Sequence, residues 1–343
     1  MKQINFLFLI ISLITFSCSN NRSDNDRAVY YWKTSFSMSP SEIRFLSDLN
    51  VRKIYLRVFD VDWDNTLSAP IPLGEIKLNK LPDTSFSIIP VVYITNKAIA
   101  NLPDQQVDGL ADKILFRVND LLTGNKMKYK ELQIDCDWSE STRSKYFLLI
   151  SDLKKRLITE NKIISSTIRL HQIKYSYRTG IPPVDRGMLM FYNMGKINAL
   201  DNLNSIYNAT DAGKYTGAIK SYPLPLDVVL PMFGWVVHIR ENKITGLLNE
   251  ELIPELATDK RFKAWGKNSY SATESFFLHG NYYIKGDLLK IEESDSRLCR
   301  DAALKAAANL NNSRRTISVF DFDSLKITKY NEEDFTKIYN CFN

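Results

Sequence analysis

Apolar and polar positions along the chain follow two rhythms. Short runs dense in β-branched and aromatic residues recur, separated by stretches with an apolar residue every three or four positions. The first rhythm marks strands and the second amphipathic helices. The strand candidates are 29–36 (VYYWKTSF), 53–60 (KIYLRVFD), 87–95 (SIIPVVYIT), 131–137 (ELQIDCD), 163–170 (IISSTIRL), 187–193 (GMLMFYN), 227–235 (DVVLPMFGW) and 316–322 (TISVFDF). Strands alternating with helices argue for an α/β fold, and eight of them predict a (β/α)8 barrel of the TIM type.

The helices carry start signals. Ser39-Pro40-Ser41-Glu42 supplies a cap, an N1 proline and an N3 glutamate ahead of Ile43, Phe45 and Leu46. Asp104 is the expected cap of a helix with Val107, Leu110, Ile114, Val118 and Leu121 on one face. Ser139 or Ser141 is expected to cap the next, which carries Tyr146, Leu149, Ile150, Leu153 and Leu157. Ser294 and Asn331 precede the last two. Two connections break the rhythm. Residues 61–85 hold three prolines and read as an extended loop or hairpin. Residues 236–293 are too long for one loop, and SFFLHGNYYIKGDLLKI within them reads as a β-hairpin. The expectation is one barrel over 28–343 with a small hairpin excursion after strand seven.

The N-terminus has a different character. Lys2 precedes an apolar run, Ile4 to Phe16, too short to span a bilayer comfortably and suited to a secretory signal. It ends at Ser17-Cys18, which resembles a lipoprotein signal. That resemblance implies a signal over 1–18, lipidation of Cys18, and export with a lipid anchor in the bacterial cell envelope. Residues 19–27 (SNNRSDNDR) contain no aliphatic or aromatic side chain and read as a flexible tether.

Charge narrows the partners. The 45 basic and 39 acidic residues leave a net charge of +6 with no basic run, which does not argue for nucleic acid. Of the four cysteines, Cys136 lies in a strand, while Cys299 and Cys341 fall in the last two helical segments. In an oxidising compartment these two are expected either to pair or to remain as two thiols.

Strand parity assigns directions, because successive side chains alternate between the helix layer and the interior. Ile54, Leu56 and Val58 suit the helix side, which turns Tyr55, Arg57 and Phe59 inward. Leu132, Ile134 and Cys136 leave Gln133, Asp135 and Asp137 inward, and strand five turns Thr167, Arg169 and His171 inward. Two aspartates and two arginines thus meet inside the barrel near its C-terminal end, where barrel enzymes carry their active sites. Buried charges need partners, so Arg57 is expected to pair with Asp135 or Asp137. A purely structural ion network is the plainer alternative to an active site.

Elimination limits the chemistry. Three histidines without HxH or HxxxH spacing give no histidine-based metal site. There is no G-x-S-x-G, no Walker loop, no G-x-G-x-x-G and no C-x-x-C, so neither metal nor cofactor is expected. Carboxylates remain at the strand ends, among them Asp60, Asp62, Asp64, Asp135, Asp137, Glu140, Asp321 and Asp323. Paired carboxylates are the machinery of glycoside hydrolysis. Trp63, Tyr93, Trp138, Tyr192, Phe233 and Trp235 lie at or beyond strand ends, where aromatic planes can meet the apolar faces of sugar rings.

These residues resemble a family. Ile134-Asp135-Cys136-Asp137-Trp138 is similar to the Asp-rich fourth strand of chitinase-like glycoside hydrolases of family 18. Met190-Phe191-Tyr192-Asn193 resembles their sixth strand, and Leu230-Pro231-Met232-Phe233-Gly234-Trp235 their seventh. Gln133 to Leu157 looks closer still to an uncharacterised group of bacterial exported proteins related to barrel glycosidases. The resemblance implies a carbohydrate partner, with Asp137 and Tyr192 catalytic. It departs at the acid, since Ser139 stands where the family has Glu and Glu140 is one residue further on, and at Asn193, which replaces an Asp. The reading is therefore an exported glycoside hydrolase using Asp137, with Glu140 or a strand-eight Asp as acid. Arg57, Tyr93, Asp135, Trp138, Arg169, Asn193, Trp235 and Asp321 are the expected substrate-binding set. The alternatives are a degenerate barrel that binds glycan at the cell surface and a structural envelope lipoprotein.

Overall fold

Eight parallel strands close on themselves: β1 (Asp26–Tyr31), β2 (Val51–Asp64), β3 (Ser87–Ile94), β4 (Glu131–Asp135), β5 (Ile163–Arg169), β6 (Arg186–Met190), β7 (Leu226–Pro231) and β8 (Thr316–Phe320). Each pairs with its neighbours in sequence, and β8 and β2 both flank β1, which completes the (β/α)8 barrel. The computed structural model describes residues 25–80, 83–195, 197, 204–311 and 314–343. The expected signal with Cys18, and most of the expected tether, lie outside the described residues. The tether's last two residues belong to β1, where Asp26 and Arg27 align with Thr316 and Ile317. No helix among the described residues is long and apolar enough to cross a membrane.

The helix layer follows the apolar stripes. In α1 (Pro40–Asp48) Ser39 and Glu42 form the expected capping box. In α2 (Val107–Thr123) and α3 (Arg143–Thr159), Leu110, Ile114 and Val118 and then Tyr146, Leu149, Ile150, Leu153 and Leu157 are buried. Their starts differ from expectation. Asp104 opens a 3-10 turn ahead of α2, and α3 begins after Thr142 with no side-chain cap. Burial of the inner face stabilises these two helices more than their ends do.

Two corrections concern β2 and the excursion. The ladder between β2 and β3 shifts register between Arg57 and Phe59, so Val58 is an extra residue. Parity flips there, and Phe59 and Val61 join Leu110 and Ile114 of α2 in one apolar groove rather than facing the barrel interior. Beyond the bulge β2 runs out of the barrel as a hairpin with Ala69–Leu73. The excursion is larger than a hairpin. Strands Lys243–Asn249, Gly234–Arg240, Leu288–Glu293, Ser269–Ala272 and Phe262–Ala264 form an antiparallel sheet in that order, and Phe276–Leu278 pairs with Asn281–Tyr283 as expected. It has its own core of Val236, Leu252, Leu256, Phe262, Ala272, Tyr283 and Leu289. Its strands are short and one edge is exposed, so their alternation is weak in the sequence. The buried Asp287 carboxylate ties the sheet together. It accepts from Arg240 (Nε 2.9 Å) and contacts His238 Nε2 at 2.7 Å. Burial opposes its charge, yet these hydrogen bonds hold it down at about 2.

The disulfide is absent. Cys299 is buried on the inner face of α4 (Ser296–Ala307), while Cys341 Sγ donates back to Lys337 O at 3.2 Å. Both are free thiols, as is buried Cys136, because Cys341 turns onto its own segment rather than toward α4.

Candidate functional site

The C-terminal mouth gathers most of the expected residues. Asp135 ends β4 and Asp137 lies two residues on. Arg169 ends β5, whose parity with β4 turns it inward as expected. Arg169 Nε donates to Asp137 Oδ1, and its Nη2 lies 3.4 Å from Asp135 Oδ1. Thr167 Oγ1 donates to the same Asp135 oxygen at 2.5 Å. Burial pushes the Asp135 carboxyl up, against the pull of Arg169. Arg169 is held firmly charged, because Asp135 and Asp137 outweigh the burial that opposes it. Asp137 keeps 49% of its side chain exposed and Asp135 only 4%, so solvent reaches the outer carboxylate and hardly the inner one. Below them Tyr30 donates to Gln133 and stacks on Tyr55 at 4.8 Å, which closes the barrel interior.

An aromatic arc faces this charged quarter. Phe320 of β8 lies 5.5 Å from Tyr192, 5.4 Å from Phe233 and 5.5 Å from Trp32 (ring centroids). Phe233 in turn lies 5.5 Å from Trp235. Tyr192 is buried, and Arg169, Asp135, Asp321 and Asp137 all act on its phenol. Trp235 is half-buried and its indole N–H donates to Glu292 Oε2 at 3.1 Å. Tyr93 sits in register with Asp135, and burial with Asp137 and Asp135 nearby pushes its phenol up to about 12. Asn193 is exposed on the rim in a left-handed conformation (φ 53°), its N–H bonded to Ile206 O at 2.8 Å.

Asp321 follows β8, which stands four places from β4 in the ring of eight and therefore across the mouth. Its side chain is 23% exposed. Burial pushes the carboxyl up to about 6, with Asp323 and Glu250 adding to the rise and Lys326 opposing it.

Four expectations fail. Arg57 reaches neither Asp135 nor Asp137. It pairs with Asp60 (Nε–Oδ1 2.8 Å, Nη2–Oδ2 2.5 Å), because the bulge at Val58 turns Asp60 back toward it. Gly74 O also accepts from Arg57 at 3.3 Å, and a Cβ at Gly74 would come within 2.7 Å of the guanidinium. Trp138 is not a sugar platform. It is buried under the helix layer, stacked on Tyr146 at 5.1 Å, with its N–H donating to Thr179 O at 2.8 Å. That tuck carries the next turn outward, so exposed Glu140 bridges Arg178 at 2.7 Å instead of entering the mouth. Ser139, where the resemblance leads one to expect an acid, contacts Ser141 Oγ (2.9 Å) and Thr142 Oγ1 (3.2 Å). His171, expected inward, is exposed in the short helix Leu170–Lys174. The sequence reading missed Lys33, Glu250 and Lys326 around Asp321, for Lys33 and Glu250 are distant in the chain and nothing in the local pattern turns Lys326 toward it.

No family model matches the chain, and no curated protein matches its sequence. Solved structures do resemble it. The chitinase of Chromobacterium violaceum ATCC 12472 superposes with a TM-score of 0.54 at 10% identity, over 92% of this chain and 98% of that one. The Group IV chitinase of Ostrinia furnacalis in complex with allosamidin gives 0.52 at 10% identity, over 92% and 98%. The spore cortex-lytic enzyme SleL of Bacillus cereus gives 0.52 at 16% identity, over 93% and 74%. At such identities the likeness is one of fold alone: the barrel is built like those of these chitinases and of SleL.

Proposed function

We propose that the mouth of this barrel binds and hydrolyses a glycan, and that the protein works outside the cytoplasm, held to the envelope by lipid on Cys18. The observation that carries the reading is a pair of carboxyl groups in unlike surroundings across one aromatic-lined mouth. Asp137 is ion-paired with Arg169, whereas the Asp321 carboxyl is pushed up to about 6. A carboxyl that burial holds protonated, across from a solvent-open carboxylate, is the arrangement of an acid and a base. Asp321 gives its proton to the glycosidic oxygen as the C–O bond breaks. Asp137 faces the positive charge growing at the anomeric carbon and takes the proton of the water that adds there. Exchange with solvent restores both groups. On this reading Tyr93, Trp235 and Asn193, which keep exposed surface, contact the sugar and buried Tyr192 backs them, and the chitinases and cortex-lytic enzyme of similar fold support a polysaccharide as ligand.

A second reading, a barrel that binds glycan without cleaving it, is favoured by Ser139 at the family's acid position and by the outward turn of Glu140. Screening the purified chain for binding and cleavage of chitin-type, cell-wall and other polysaccharides separates the two. Cleavage abolished by Asp321→Asn supports the first. Binding without cleavage, lost in Asp137→Asn, supports the second. The anchor is tested apart: Cys18→Ser should release the exported protein from membranes, and continued lipid labelling of that variant would refute it.

A further inference from the structure

Beside Asp321 lies a charge cluster shared by the barrel and the excursion. Lys326, on the short helix Ser324–Lys329, is 2% exposed. Its ammonium is in direct contact with Glu250 Oε1 and lies 4.0 Å from Asp321 Oδ1. Glu250 belongs to the excursion, and its other oxygen accepts from Gly234 N at 3.0 Å. Asp323 accepts from Leu325 N at 2.9 Å and Lys326 N at 3.3 Å, and it pairs with Lys33 at 3.2 Å. We infer that Glu250 is a positioning residue for Asp321: by engaging Lys326 it keeps that ammonium from closing on the Asp321 carboxylate.

Counting charges gives the consequence. Among the described residues the cluster holds three carboxyl groups, Glu250, Asp321 and Asp323, and two ammonium groups, Lys33 and Lys326. Lys33 serves Asp323 and Lys326 serves Glu250, so Asp321 has the longest contact and the weakest claim on a cation. A buried cluster with excess negative charge relieves it by keeping a proton, and that proton stays on Asp321. The other groups that face this region do not replace the missing cation. Lys329 pairs with Glu293, though Glu250 also acts on it, Glu251 acts on Lys33, and across the mouth the Tyr192 phenol feels both Asp321 and the set of Arg169, Asp135 and Asp137. The excursion thus supplies more than a wall. It carries the carboxylate that lets the barrel keep a protonated acid.

This inference rests on reading Asp321 as the acid, but its test needs no sugar. The full chain labelled with 13C at aspartate carboxyls is titrated by NMR, and the Asp321 signal is the one missing from Asp321→Asn. In Glu250→Gln an amide oxygen remains for Gly234 N–H while Lys326 is released, so Asp321 should titrate lower by roughly one pH unit or more. Lys326→Met should move it upward. Glu293→Gln, which frees Lys329 beside Glu250, should move it by less than Glu250→Gln does. An unmoved Asp321 in Glu250→Gln overturns the inference, as does an equal shift in Glu293→Gln. If Glu250→Gln does not fold, an unmoved Asp321 in Lys326→Met overturns it instead. If the titration shifts as expected but the pH profile of glycan cleavage does not follow, the positioning stands and Asp321 is not the acid.

Discussion

Arg169 joins the two aspartates of the fourth-strand motif, donating from Nε to Asp137 while Nη2 lies 3.4 Å from Asp135. One guanidinium therefore serves a buried carboxylate and an open one. Arg169→Met leaves Asp135 buried without its cation, and losing one partner of a buried pair typically costs about 3–5 kcal/mol. Urea unfolding should show a loss of that order. A change below about 1 kcal/mol would mean that Asp135 is already neutral in the folded protein.

The two aspartates should respond differently to amidation. Asp137 is half exposed, and exposed ion pairs contribute about 0–1 kcal/mol. Asp137→Asn should therefore leave the melting temperature nearly unchanged while removing glycan binding or cleavage. Asp135→Asn should lower stability by more, since it disturbs the bonds from Thr167 and Arg169. Unfolding of Asp137→Asn, or unimpaired glycan activity in it, would move the site elsewhere.

Trp138 should behave as core. Trp138→Ala removes a buried indole stacked on Tyr146 and is expected to cost about 3–5 kcal/mol. At temperatures where the variant is folded, its affinity for glycan should match the parent's. A selective loss of affinity with unchanged stability would restore Trp138 to the sugar site.

Thiol counting tests the cysteine arrangement. In denaturant, Cys136, Cys299 and Cys341 should all react with a thiol reagent without prior reduction. Under native conditions Cys341 should react first, because the other two are buried. Finding one reactive thiol in denaturant in place of these three would indicate a Cys299–Cys341 bridge.

Much of the barrel is legible in the sequence because strand parity is a local property. Gln133 and Asp135 on β4 and Thr167 and Arg169 on β5 take the sides that alternation assigns. Parity fails where one residue is inserted, and Val58 has no composition that marks it as a bulge. The motif around Asp137 is also local, but the direction of Glu140 depends on Trp138 finding Tyr146 and Thr179, which only packing decides. The Asp321 cluster is the least legible part. Lys326 and Glu250 lie on different elements, brought together by the excursion folding back onto the end of β8.

The central claim is that the mouth holds an acid in Asp321 for glycan cleavage, and the pH dependence of kcat/KM tests it most directly. An acid must be protonated to act, and the protonated fraction of Asp321 falls as pH rises through about 6. The rate is therefore predicted to decline on the alkaline side of that value. Asp321→Asn should lower it ~100-fold or more, the scale of a lost general acid, and abolish that decline. Cleavage that persists undiminished in Asp321→Asn, with the same alkaline limb, would contradict the account.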